Sequence, residues 1–253
     1  MSNNACDTRA ALSIEACRGR LLEGLQGRWC LPQGPLEVLG EARHGRLLIA
    51  HGAGAGQDST FLQRLRRELA DGGVQTLAIE FGYLQCMRRE GRRRPPPRID
   101  RLVEELATWC DLLSHPALPP LWLGGKSLGG RTASLLAARD GAPGLVLCGY
   151  PFHPPRRPER LRLDHWPALA CPTLVVQGSR DPFGSREEVV GYALPVSTRL
   201  HWLEDGDHDW QPRRASGRDQ AALIAEGAAV IAGFLAAHRG GEWRGQVDES
   251  ASE

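Results

Sequence analysis

Three short stretches hold a serine, an acid and a base in an order that suits nucleophilic catalysis. Residues 125–129 read GKSLG, residues 178–184 read GSRDPFG, and residues 203–210 read LEDGDHDW. A serine hydroxyl attacks well only when an imidazole takes its proton and a carboxylate holds that imidazole. G-x-S-x-G is the pattern of a tight strand-to-helix turn that lifts the serine clear of the sheet, with glycines two before and two after it where a Cβ would clash. Ser127 is therefore the candidate nucleophile, Asp181 the acid and His208 the base. Taken singly, Ser127 could merely cap a helix and Asp181-Pro182 could merely start a turn. The order Ser, Asp, His, each at a strand end, is what joins them.

His208 is chosen among eight histidines by position. His51 lies in a glycine-rich loop, His201 inside a strand, and His44, His115 and His238 at segment edges. His153 and His165 fall in the connection before the acid. Only His208 follows the acid-bearing strand by one strand–helix–strand unit. The loop HGAGAG, residues 51–56, can aim peptide N–H groups at a developing oxyanion. Leu128, the residue after the serine, would supply one donor, and Ala53 or Gly54 the other. A phosphate loop is the rival, but the stretch has neither GxGxxG spacing nor a GK[ST] ending.

These residues need a scaffold. Short apolar runs at 46–50, 74–81, 121–125, 144–150, 173–178 and 198–204 alternate with helical patterns at 59–71, 99–114, 127–139, 185–192 and 218–238. Such alternation predicts a mostly parallel sheet with helices on both faces, with ligands beyond the carboxyl ends of its strands. Residues 35–42 read as an earlier edge strand. Residues 1–30 read as an N-terminal helical extension, 31–238 as the main domain, and 239–253 as a disordered tail. The connection 151–171 is too short for a cap domain, so an open site is expected.

The blocks HGAGAG, GRRRPP (91–96), GGKSLGG, GYPFHPP (149–155), QGSRDPFG and GDHDWQPRRASG (206–217) resemble the α/β-hydrolase family that contains testis-expressed protein 30 and subunit 3 of the NSL chromatin complex. The similarity spans roughly residues 45–240, and points to the bacterial, dienelactone-hydrolase-like branch. It implies an α/β-hydrolase fold with a hydrolase core of Ser127, Asp181 and His208, and no metal or organic cofactor. The residues themselves read best as a serine esterase or thioesterase acting on a small acyl ester, without a large cap. Dienelactone hydrolases proper use cysteine where this chain has serine. Because the chromatin-complex member looks like a scaffold, the family also implies an alternative: a non-catalytic binding protein on the same fold.

Six arginines crowd residues 82–98, a second candidate lid: Arg88, Arg89, Arg92, Arg93, Arg94 and Arg98. A charge run is first of all a solvated face. Its functional alternative is recognition of a carboxylate- or phosphate-bearing ester, with Arg92, Arg93 and Arg94 as the candidates. Lys126 is the chain's one lysine. Glu80, two strands away, is its expected partner, in a pair that would brace the serine turn against the glycine-rich loop; a lysine reaching into the site for an anionic substrate is the rival.

Composition narrows the rest. A net charge of +1 across 253 residues gives no bulk field for nucleic acid or membrane. No stretch reads as long enough for a membrane span. Seven scattered cysteines without a CxxC suggest neither a zinc site nor a disulfide framework, and a reducing cytoplasm is the expectation. The expected partner is a small molecule, and oligomeric state stays open.

Overall fold

Apolar alternation within single strands sets the architecture. In the strand at Gly45–Ala50, Leu47 and Ile49 enter one buried cluster while Leu48 and Ala50 enter another. A strand covered on both faces must read as nearly continuously apolar, as residues 47–50 do; Arg46 before them is buried with its guanidinium bonded to Gln75 and to the Leu113 carbonyl. The computed structural model describes residues 11–238. In chain order its elements are α1 (Ile14–Leu22), β1 (Gly27–Leu31), β2 (Gly34–Leu39), β3 (Gly45–Ala50), α2 (Thr60–Asp71), β4 (Val74–Ile79), α3 (Gly82–Glu90), α4 (Ile99–Leu113), β5 (Leu121–Lys126), α5 (Leu128–Asp140), β6 (Leu145–Cys148), β7 (Thr173–Gly178), α6 (Arg186–Val189), β8 (Thr198–Leu203) and α7 (Gln220–Ala237).

The eight strands form one sheet in the order β1-β2-β4-β3-β5-β6-β7-β8. β1 and β2 make an antiparallel hairpin, β2 pairs antiparallel with β4, and the rest run parallel. From β3 the chain leaves one way to β4 and later the other way to β5. That reversal opens a crevice at the carboxyl ends of β3 and β5. α2 and α7 cover one face, and α1, α4 and α5 the other.

The structure departs from the sequence reading in several places. Residues 34–39 are an inner strand, because the unforeseen β1 takes the edge beside them. β1 begins at Gly27, so an extension ending at residue 30 would cut a strand, and α1 buries Cys17 and Leu21 in the main core. The tail at 239–253 lies outside the described residues. Cys30 is disulfide-bonded, contrary to the expectation from cysteine spacing. Residues 82–90 form α3 rather than a loop. α7 is 18 residues long and apolar enough to cross a membrane by length and composition, which the sequence reading overlooked. Its apolar side chains are used in the core: Leu223, Ile224, Ile231 and Leu235 pack in the cluster that α2 also fills.

Candidate active site

Ser127 sits where β5 turns into α5, at φ 53° and ψ −112°. A non-glycine residue pays for such a conformation, and it persists because close packing over-determines it. Gly125 and Gly129 pack on the end of β3: a Cβ on Gly125 would stand 2.5 Å from the Ala50 carbonyl oxygen, and one on Gly129 would run into the same atom. The Ser127 N–H is tied to the Cys148 carbonyl at 2.9 Å.

Asp181 follows β7 and is fully buried. Its Oδ1 accepts from the Phe183 N–H at 2.9 Å, and its Oδ2 accepts from Gln177 Nε2 at 3.0 Å. His208 Nδ1 lies 2.8 Å from the same Oδ2, and His208 Nε2 lies 2.9 Å from Ser127 Oγ. Facing a carboxylate, Nδ1 must carry the proton. Nε2 is then free to accept from the serine hydroxyl. The Phe183 ring packs on the imidazole at 4.3 Å.

The loops bearing the acid and the base are laced together. The Arg180 N–H bonds the Gly206 carbonyl at 2.9 Å, and its guanidinium pairs with Asp205 at 2.8 Å. Asp207 Oδ1 accepts from the N–H groups of Asp209 and Gln211, both at 2.9 Å, which fixes the turn around His208. Arg213 also pairs with Asp205, at 2.6 Å, so neither arginine is turned to the pocket.

The glycine-rich loop crosses the crevice beside Ser127. His51 is fully buried at its start, and its Nε2 accepts the Phe81 N–H at 3.0 Å. The proton is therefore on Nδ1, which donates to the Gly52 carbonyl at 2.7 Å. Burial lowers the His51 pKa to about 4, so the ring stays neutral. Tyr83 Oη is 3.3 Å from the Gly52 carbonyl oxygen and 3.1 Å from that of Ala53. Both carbonyls thus face Tyr83. In planar trans peptides the N–H groups of Ala53 and Gly54 point the opposite way. Leu128, first residue of α5, has an N–H with no partner within the helix. A pocket of about 560 Å³ is lined by residues 52–55 and 59–62 together with Lys126, Ser127, Phe183, His208, Asp209 and Gln220.

The expected Lys126–Glu80 pair does not form. Lys126 Nζ is 3.2 Å from Asp209 Oδ1, whereas Glu80 pairs with Arg88 at 2.9 Å. The intervening loop separates the two side chains: Gly52 packs beside Lys126, and Gly56 packs against Glu80 and Arg88. Arg88 also binds Asp58 through both nitrogens and keeps the Asp58 carboxyl below its ordinary range. Burial raises the Glu80 pKa against the pull of Arg88. Arg92 and Arg93 line a groove of about 410 Å³ that shares Gly54, Ala55 and Ser59 with the Ser127 pocket, whereas Arg94 pairs with Glu90.

Sequence reasoning missed Tyr83, Gln177 and Asp209, and the pairing of Arg88 with Glu80 and Asp58. Asp209 stands beside His208 in the quoted stretch; Tyr83 and the partners of Arg88 are hidden because the residues of α3 do not read as a helix. Gln177 follows the apolar run Leu174 to Val176 in a buried strand, and a buried amide there must find partners. That was its available signal.

A family model described as alpha/beta hydrolase domain matches residues 43–236, and the chain belongs to that family. Among solved structures, the dienelactone hydrolase of Anabaena variabilis is similar at 21% identity with a TM-score of 0.61, over 83% of this chain and 95% of that one. A lidless α/β serine hydrolase from Xanthomonas campestris is similar at 18% identity, TM-score 0.57, over 84% and 93%. Est1E from Butyrivibrio proteoclasticus is similar at 14% identity, TM-score 0.59, over 80% and 94%. At these identities the likeness is one of fold.

Proposed function

We propose that this chain is a serine hydrolase of esterase or thioesterase type that cleaves a small acyl ester through an acyl-enzyme intermediate. The observation that carries it is the unbroken relay from Ser127 Oγ through His208 to Asp181, with contacts of 2.9 and 2.8 Å. Ser127 Oγ attacks the acyl carbonyl while His208 Nε2 takes its proton. Buried Asp181 holds His208 in the required tautomer and stabilises the imidazolium that forms. The N–H groups of Leu128 and of Ala53 or Gly54 receive the oxyanion. His208 returns the proton to the leaving group, and water, activated by the same imidazole, then releases the acid. Tyr83 and His51 act at one remove, by turning the loop carbonyls away from the reacting carbonyl.

The sequence blocks quoted above further support membership in the bacterial branch near testis-expressed protein 30. A fluorophosphonate probe tests the central reading. Folded wild-type protein should be labelled, and Ser127→Ala should not; Ser127→Ala should also lower turnover of 4-nitrophenyl acetate by about a thousandfold or more. An unlabelled, folded wild type would leave the non-catalytic binding protein as the better reading.

A further inference from the structure

We propose that the Ser127 pocket contains an anion subsite, with Lys126 as its cation and Asp209 as the group an incoming carboxylate displaces. This rests on the hydrolase reading and specifies its substrate: an ester carrying a carboxylate close to the scissile bond. The two ends of the Lys126–Asp209 pair differ in exposure. The lysine side chain is 7% exposed and lines the pocket, while the aspartate side chain is 70% exposed. The ammonium cannot move to water, but its counter-ion can.

The ammonium also lies near the proposed relay, on the Asp181 side of the imidazole. Lys126 directly precedes Ser127. A Cβ placed on Gly149 would be 3.3 Å from Lys126 Nζ and 3.5 Å from His208 Nδ1, so one point touches both. The Phe61 ring, 5.5 Å from Nζ, backs the cation on its apolar side. The first turn of α2, Thr60 to Leu62, opens on the same space and adds positive potential. A buried charge stripped of its partner is costly. Exchange avoids that: Asp209 swings into solvent as the substrate carboxylate takes its place on Nζ. Asp181 cannot compete, since both its oxygens are already held.

A simple brace between Lys126 and Asp209 predicts something else, and paired esters separate the two. 4-Nitrophenyl hemiglutarate against 4-nitrophenyl valerate places the charge on the acyl side. 4-Acetoxybenzoate against its methyl ester places it on the leaving group. In at least one pair, Lys126→Met should lower the anionic-to-neutral ratio of kcat/KM by about tenfold or more, through KM. Asp209→Asn should raise that ratio, because it removes the internal competitor. Equal losses within both pairs, accompanied by a lower Tm, would make the contact a brace and overturn the subsite. If Lys126→Met does not fold, Asp209→Asn decides alone, and an unchanged or lower ratio overturns it. A second measurement is independent of turnover. Glutarate should bind Ser127→Ala in calorimetry, and not Ser127→Ala/Lys126→Met or, in its place, more tightly to Ser127→Ala/Asp209→Asn. A wild type that turns over no ester ends the hydrolase reading alone; glutarate binding that ignores both residues, or is absent, ends the subsite.

Discussion

Two glycine-rich stretches border Ser127, and they use glycine for opposite reasons. In GGKSLGG the glycines are contact points. Cβ atoms on Gly124, Gly125, Gly129 and Gly130 would each come within 3 Å of backbone on β3, β6 or the turn itself. In HGAGAG the middle of the loop is open: a Cβ on Gly54 would meet nothing within 4 Å, and residues 53–55 are exposed. The first stretch is positioned by steric packing. The second is positioned by polar bonds from His51 and Tyr83 to its carbonyls. A strained serine turn needs the rigid kind of support, whereas an open loop can hang from a few hydrogen bonds.

The largest effect should come from filling the packed stretch. Gly129→Ala would drive a Cβ into the Ala50 carbonyl and close on that of His51, at 2.7 Å. Neither is a flexible side-chain end, so β3 and α5 must part. We expect a loss of about 3 kcal/mol, near 10 °C in Tm, and activity lost with it. An unchanged Tm in thermal unfolding would mean that the turn is not held by packing.

The hydrogen-bonded loop should instead answer to pH. His51 is neutral in the fold, with a pKa lowered to about 4 by burial, against about 6.5 in an unfolded chain. Between those values the unfolded state binds more protons, so stability is full above pH 6.5 and falls as pH drops toward 4. The His51 share is about 2 kcal/mol between pH 7 and pH 5. His165, also pushed down to about 4 by burial, acts in the same window and with the same sign. Urea unfolding of His51→Gln at the two pH values should therefore show a pH dependence that is reduced but not abolished. An undiminished dependence would mean that His51 does not anchor the loop as a neutral ring.

How much of this the sequence carried depends on the kind of contact. The serine turn was readable because its glycines, strand and helix are local. The order Ser127, Asp181, His208 was readable because parallel strands bring their carboxyl ends together. The Lys126 partner was not: strand spacing allowed Glu80, and only the path of the loop between them excludes it. α3 escaped because its last turn, Arg88 to Glu90, runs on into the arginines at 92–94 as one polar stretch, although Gly91, at φ 65°, stops the helix. β1 escaped because its inward residues, Trp29 and Leu31, alternate within a stretch too short to stand out.

Gly56, at the far end of the open loop, lies between the two extremes. A Cβ there would strike the Arg88 guanidinium and come 2.8 Å from Glu80 Oε2. These are side-chain ends that can shift, so Gly56→Ala should cost about 1–2 kcal/mol, less than Gly129→Ala. The loss should be coupled to Arg88. In an Arg88→Met background the substitution should cost markedly less, and the double-mutant cycle measures the difference. Strict additivity would show that Gly56 is constrained by something other than the Arg88 ion pairs.

The smallest effect belongs to Gly54. Its φ is not positive, no atom crowds it, and Gly54→Ala keeps the peptide N–H that faces away from Tyr83. Alanine also narrows the unfolded ensemble, so stability should hold or rise by about 0.5 kcal/mol. With the N–H retained, kcat for a 4-nitrophenyl ester should stay within about twofold. The informative failure is a split result. If Tm holds while kcat falls tenfold or more, the loop must bend at Gly54 during the reaction, and its glycine serves motion rather than space. That outcome would sharpen the contrast with GGKSLGG, where no substitution at Gly129 should lower activity without also lowering Tm.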